Sequence, residues 1–185
     1  MLSQERREKI EKSRVYLRTP RLVDREEYFN LLRVSEAFHA PWSPALPAGF
    51  DPYSNQAFAD FIERMGPAHR RERRLVCRKS DDRILANVNM SEIVRGCFQS
   101  TYLGYWVGAP FSNQGYMKEG MLQIIELCFG ELGLHRLEAN IRPENEPSLR
   151  LVQGAGFKLE GYSPRYLKID GAWRDHERWT ILADD

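Results

Sequence analysis

The chain has no apolar run approaching the ~20 residues that cross a bilayer. Its opening stretch, MLSQERREKIEK, carries charge where a secretory signal needs apolar residues. Both absences predict a cytoplasmic protein with no membrane partner. Cysteine is scarce: Cys77, Cys97 and Cys128 are odd in number and widely spaced, which matches neither a disulfide framework nor a zinc-ligand set. They are expected to be reduced packing residues, with Cys128 on the apolar face of a helix, and no metal site is expected. Excess charge is missing too. Lys and Arg total 27 against 26 Asp and Glu, a net charge of +1, so no overall field draws the protein to nucleic acid or membrane. There is no helix-turn-helix, zinc or basic-region pattern, and DNA is not an expected partner. A Walker-type loop, a GxGxxG dinucleotide fingerprint and internal repeats are absent as well.

What is present reads as one soluble domain. A chain of 185 residues with 42% hydrophobic and 29% charged side chains can bury a single core and is too rich in aromatics for global disorder. Residues 1–13 read as a charged N-terminal extension and 14–185 as the domain. Val15 and Leu17 share a face of a first strand. Asp24 with Glu27 predicts a capped helix whose Tyr28, Leu31, Leu32 and Ser35 recur at helical spacing, ending before Pro41. The Pro-rich segment 41–52, with Trp42, Leu46 and Phe50, is a loop: either a substrate lid or a loop packed down by its own aromatics. Ser54 caps a second helix, striped by Phe58, Phe61 and Ile62. Residues 74–79 and 84–94 form a hairpin, and 101–107 a further strand. Met117, Met121, Ile124, Ile125, Cys128 and Leu132 trace one face of a long helix. A strand over 135–141, a short helix over 147–153 and a closing hairpin turning at Asp170-Gly171 complete an α+β order.

Chemistry concentrates in two places. Phe111 to Met117 joins a strand to the long helix with Gly115 at the junction, and such a junction presents unpaired N–H groups and a positive helix end to phosphate. Further on, Asn145-Glu146-Pro147-Ser148 opens the short helix, followed by Gly156-Phe157 and Glu160-Gly161. This combination resembles the GNAT superfamily of acetyl-CoA-dependent N-acetyltransferases. Within it the chain is most similar to the RimJ/RimL group, and there to the ribosomal-protein alanine N-acetyltransferases. The segments carrying that likeness are Ile93-Val94-Arg95-Gly96, Tyr102-Leu103-Gly104-Tyr105, Leu134-His135-Arg136, Arg142-Pro143-Glu144-Asn145, Glu160-Gly161-Tyr162 and residues 169–176. Ser112 and Met117 depart from the family's usual phosphate loop, while Gly115 is kept.

The resemblance implies a mixed, mostly antiparallel twisted sheet flanked by helices. It implies acetyl-CoA as donor, with the backbone of Trp106 and Val107 against the pantetheine arm. Asn113, Gln114, Gly115, Tyr116 and Met117 would cradle the pyrophosphate, and Asn145 and Ser148 would face pantetheine and sulfur. The residues alone give Asn145 a simpler role as a helix cap. Direct attack by the amine is expected, with Ser148 protonating the leaving thiolate and Glu138 the general base through water; Glu92, His135 and His176 are alternatives. The expected acceptor is the N-terminal amine of a ribosomal protein. Two other readings stand beside it: an acetyltransferase for a polyamine or antibiotic amine, and a non-catalytic acyl-CoA-binding module docking on ribosomes. The basic run His69 to Arg74 is the candidate ribosome contact, or simply a solvated turn.

Overall fold

The computed structural model describes residues 4–169 and 171–184. The chain begins with α1 (Gln4–Glu11) and β1 (Val15–Arg18), then α2 (Arg25–His39) and α3 (Asn55–Glu63). Three strands follow, β2 (Glu72–Arg78), β3 (Ile84–Val94) and β4 (Ser100–Val107), then α4 (Tyr116–Glu126), β5 (Arg136–Ile141), α5 (Glu146–Ala155), β6 (Lys158–Ile169) and β7 (Ala172–Leu182). The strands form one sheet in the order β1-β2-β3-β4-β5-β7-β6, antiparallel throughout except where β4 meets β5. The expected α+β architecture is the one observed.

Helices cover both faces of the sheet, which is why consecutive residues Leu75, Val76 and Cys77 are all buried. On one face Val76, Ala86, Val88 and Met90 pack with Met121, Ile124 and Ile125 of α4 and Val152 of α5. On the other, Leu75 packs with Tyr28 and Leu31 of α2 and Phe58 of α3. From Ala86 onward strand alternation assigns the β3 side chains to layers: Ala86, Val88 and Met90 to the α4/α5 layer, Asn87 and Asn89 to the α2/α3 layer. Gly120 lets α4 lie close to β2, since a Cβ there would come within 2.8 Å of Val76 Cγ2.

Several local expectations need amendment. Asp24 does not cap α2; its carboxylate takes two bonds from Arg18 (2.6 and 2.9 Å) and one from the backbone N–H of Arg21 (2.6 Å). Glu27 likewise leaves the helix end, accepting from Ile84 N (2.7 Å). A half-buried guanidinium on β1 competes better for that carboxylate than a helix N–H that water can satisfy. Ser54 does cap α3, accepting from Ala57 N at 3.1 Å. Beyond Glu126 the long helix widens into a π-turn over Leu127–Glu131, with Leu132 N bonded to Leu127 O (2.9 Å). This turn lets Leu127, Phe129 and Leu132 all rest on the core. In the Pro-rich loop Trp42 is half-buried beneath the Arg142 guanidinium (5.4 Å), while Leu46 and Phe50 are exposed. In the closing hairpin Ile169 opposes Ala172 and Gly171 has φ 72°; Asp170 lies outside the described residues.

The basic run is divided by the same alternation. Arg73 turns into the α2/α3 layer, Arg74 pairs with Glu72 (2.9 Å), and Arg70 pairs with Glu92 (3.4 Å). His69, Arg70 and Arg71 stay at the surface. The Asp24 pairing predicts a stability effect larger than a lost cap. Asp24→Ala should lower unfolding free energy by about 2 kcal/mol or more, since it removes three hydrogen bonds, two of them from a half-buried guanidinium that keeps only Asp82, at 3.9 Å, as an acid partner among the described residues, rather than the ~1 kcal/mol of a missing cap, measured by urea denaturation.

Candidate active site

β4 and β5 run parallel only at Ser100↔Arg136, Thr101↔Leu137 and Tyr102↔Glu138, and then part. The rest of β4 keeps β3 on one side and exposes a backbone edge on the other. Gln99 O accepts from His135 N (2.7 Å) and Gly108 N donates to Leu85 O, directly opposite it (2.8 Å). Ladder alternation then turns the N–H and C=O groups of Leu103, Tyr105 and Val107 toward the opening and those of Trp106 toward β3. Of the two residues expected to bond pantetheine, Val107 therefore has its backbone on the open edge. Trp106 contributes its indole to the α2/α3 layer instead, edge-on to Tyr28 at 5.5 Å. The Val107 carbonyl already accepts from His39 Nε2 (2.8 Å), leaving its N–H.

At the wide end of this opening lies the strand-to-helix turn. Asn113 (φ 57°) and Gly115 (φ 83°) are left-handed, and the first bond of α4 runs from Glu119 N to Gly115 O. The N–H groups of Tyr116, Met117 and Lys118 precede that bond, so this concave turn presents successive donors and a helix N-terminus, suited to phosphate. The Tyr116 and Met117 side chains are buried in the core, so only their backbone can serve. Arg14 braces the turn from β1: Nη2 donates to Gln114 O (2.7 Å), Nε to Glu119 Oε1 (2.8 Å), and the guanidinium lies 4.3 Å from the Tyr116 ring centroid. Arg14 thereby pairs with Glu119, an acid in the helix's first turn that would repel a phosphate.

α5 brings up Ser148. Asn145 caps the helix, its Oδ1 accepting from Ser148 N (3.3 Å), and Ser148 Oγ is 2.6 Å from the Tyr105 hydroxyl. This pair bridges β4 and α5 beside the opening. Burial, relieved in part by Ser148, pushes the Tyr105 phenol up to about 12, so it keeps its proton at neutral pH. Tyr105 was not anticipated as a site residue, because its partner is 43 residues away in sequence.

The opposite face of the opening is floored by Tyr102, Gly104 and Trp106 of β4 and by Glu138 and Asn140 of β5. Glu138 is buried where the strands part, accepting from Arg136 Nη2 (3.0 Å) and Asn140 Nδ2 (3.1 Å). Arg136 also bonds Glu160. His176 is buried beside Tyr166, its Nδ1 donating to Arg174 O (3.0 Å). Burial first, and then Arg142, depress its pKa below 6.5. The ring is neutral at pH 7, with Nε2 as its acceptor. The other two alternatives sit elsewhere: Glu92 is exposed and paired with Arg70, and His135 is exposed beside Asp184 (3.4 Å). Cys128 is no nucleophile, since burial raises its thiol to about 12.

Comparison with known proteins decides the family. Residues 14–158 match the family described as Acetyltransferase (GNAT) domain. The chain belongs to the GNAT acetyltransferases. A Bacillus subtilis protein named probable N-acetyltransferase YjcK is 38% identical over 57% of this chain and 59% of its own length. The ribosomal protein uS5 alanine N-acetyltransferase of Escherichia coli is 40% identical over 55% of this chain and 53% of its own. The chain thus spans just over half the length of these curated relatives. Mycobacterium smegmatis RimJ, solved in complex with CoA-disulfide, superposes with a TM-score of 0.84 at 27% identity, covering 92% of this chain and 82% of that one.

The residues present in this GNAT protein fit acetyl-CoA as a donor: a braced N–H turn for phosphate and an unpaired strand edge for an amide-bearing arm. Among the described residues no group of His, Cys, Asp and Glu is gathered for a metal ion, and no helix is long and apolar enough to cross a membrane. A separate cavity of about 600 Å³, floored by Leu31 and Ile84 and rimmed by Glu26, Arg83 and Phe111, lies between α2, the start of β3 and the turn after β4, and is lined by none of Tyr105, Ser148 and Glu138. Replacing Arg14 by Met should raise the KM for acetyl-CoA and the Kd for CoA about tenfold, in the range of one charge-assisted bond, with kcat nearly unchanged. Steady-state kinetics with titration calorimetry checks this.

Proposed function

We propose that the enzyme acetylates the N-terminal amine of a protein, with an alanine-starting ribosomal protein as acceptor, by direct attack in a ternary complex. The observation that carries the reading is a cleft open on both faces between β4 and β5. One face holds the phosphate turn and the Tyr105–Ser148 pair; the other holds Glu138, Tyr102 and the bare floor at Gly104. The donor arm lies along the first face, bonding the open backbone of Tyr105 and Val107, while the amine enters from the second.

Bound acetyl-CoA supplies an activated acetyl group as a thioester. Val107 N–H, Asn113 to Met117, and α5 with Asn145 and Ser148 hold it. Glu138, fixed by Arg136 and Asn140, takes the amine's proton through water. Ser148, hydrogen-bonded to the protonated Tyr105 phenol, gives a proton to the departing sulfur. An α-amine with pKa near ~8 is partly neutral at pH 7, whereas a lysine amine near ~10.4 asks more of the base. A polyamine would need free carboxylates. On this face Glu138 is already paired, and the same face carries a buried cation, Arg73, two strands from Gly104. The name of the Escherichia coli relative supports the peptide reading in the same direction. Acetylation of a ribosomal protein puts the reaction in the cytoplasm. A ribosome contact through residues 69–74 would rest on His69, Arg70 and Arg71, because Arg73 is buried and Arg74 is paired with Glu72.

Mass spectrometry of the enzyme with acetyl-CoA and a mixture of alanine-starting peptide, spermidine and an aminoglycoside should find acetyl on the peptide's terminal amine. Transfer to a small amine alone would replace the acceptor, and no transfer at all would sink the reading. Glu138→Gln should lower kcat about 100-fold and Ser148→Ala about 10-fold or more, within the range for positioned proton-transfer groups. A larger loss in His176→Asn than in Glu138→Gln would move the base role to His176.

A further inference from the structure

Arg73 of β2 is a buried cation with no acid paired to it among the described residues. It is 8% exposed; its guanidinium lies 4.4 Å from the Phe61 ring centroid, Nε donates to Asn89 Oδ1 (3.0 Å) and Nη1 to the Phe61 carbonyl. Among the described residues its charged neighbours are Arg71 and Arg64, which together with burial bring its pKa down to about 10, with the Tyr28 phenol opposing. A guanidinium held in the interior by neutral oxygens alone is costly, because nothing offsets the water it has lost. Such a cost is expected where a ligand supplies the missing charge.

The sheet register shows where that ligand would come from. Arg73 lies opposite Asn89, and Asn89 opposite Gly104, all with their side positions on the α2/α3 face. A Cβ at Gly104 would meet nothing within 4 Å, so the row runs from the buried cation to the open floor of the cleft. The neighbouring polar groups are also unmatched. Asn87 is fully buried with neither Oδ1 nor Nδ2 bonded, and across the opening Asn140 Oδ1 is buried without a partner. At about 4.8 Å between strands, Gly104 is about 10 Å from Arg73. An extended peptide advancing about 3.4 Å per residue covers that distance by its second to fourth residue.

We propose that Arg73 and Asn89 form an acceptor subsite for a carboxylate, so that the enzyme favours peptides carrying Asp or Glu at the second to fourth residue behind the reacting amine. This inference rests on the peptide-acceptor reading above. Recognition requires no bond change: the carboxylate supplies the charge that Arg73 lacks, while Asn140, whose Oδ1 has no partner, meets the peptide's own polar groups.

The test is kcat/KM for alanine-starting peptides that differ only by Glu or Gln at position two, three or four. The wild-type enzyme should prefer Glu about tenfold or more at one of these positions, the scale of one charge-assisted pair. Arg73→Gln should bring that ratio to about one. Because Arg73→Gln disturbs a buried site, Asn89→Asp serves as the second variant. It places a carboxylate against Arg73 from within, so the preference should vanish while thermal stability holds or rises. Equal rates for Glu and Gln peptides at all three positions, or a preference that survives both substitutions, overturns this subsite and leaves the peptide reading intact. Absence of transfer to every peptide overturns both.

Discussion

The parting of β4 from β5 is the constraint on which the rest of the structure depends. A buried backbone group without a partner is costly, so a sheet that opens in its middle must assign the freed edge to something. Here one carbonyl of that edge, at Val107, is taken by His39, and the remaining N–H groups face the gap. The opening also lets two layers, each with its own apolar core, present polar groups to one point from opposite sides. Transfer between two substrates needs that geometry.

Around the gap the polar side chains are tied to one another more than to solvent. Arg14 ties β1 to the phosphate turn, Tyr105 ties β4 to α5 through Ser148, and Arg136 ties β5 to β6 through Glu160. Each tie crosses between elements distant in sequence, so each fixes the relative position of two cleft walls rather than stabilising one element. The exceptions are Arg73, Asn87 and Asn140, which keep unmatched polar capacity on the acceptor side alone. Donor-side side chains are tied to one another and leave backbone N–H groups open, whereas on the acceptor side the open polar groups are side chains.

Much of the fold was legible because hydrophobic period and turn chemistry act locally. The stripe from Met117 to Ile125, the Ser54 cap and the hairpin at residues 80–82 each follow from neighbouring residues. What was not legible depended on distant partners. Asp24 reads as a cap until Arg18 competes for it, and the π-turn after Glu126 arises because the core accepts Phe129 as well as Leu132. The site divides the same way. The glycine turn and the Asn145-Ser148 helix start are local motifs, whereas Tyr105, Arg14 and Arg73 acquire meaning only through contacts spanning tens of residues or through register. The orientation of the β4 backbone is a further case, since only the ladder reveals that Val107 faces the gap and Trp106 faces β3.

Amide hydrogen exchange on β4 with and without saturating CoA tests the central claim most directly. If the free edge receives the donor's arm, the N–H groups of Tyr105 and Val107 gain protection on binding, while that of Trp106, already turned to β3, stays as it was. Unchanged exchange at Tyr105 and Val107 under saturating CoA would contradict the account.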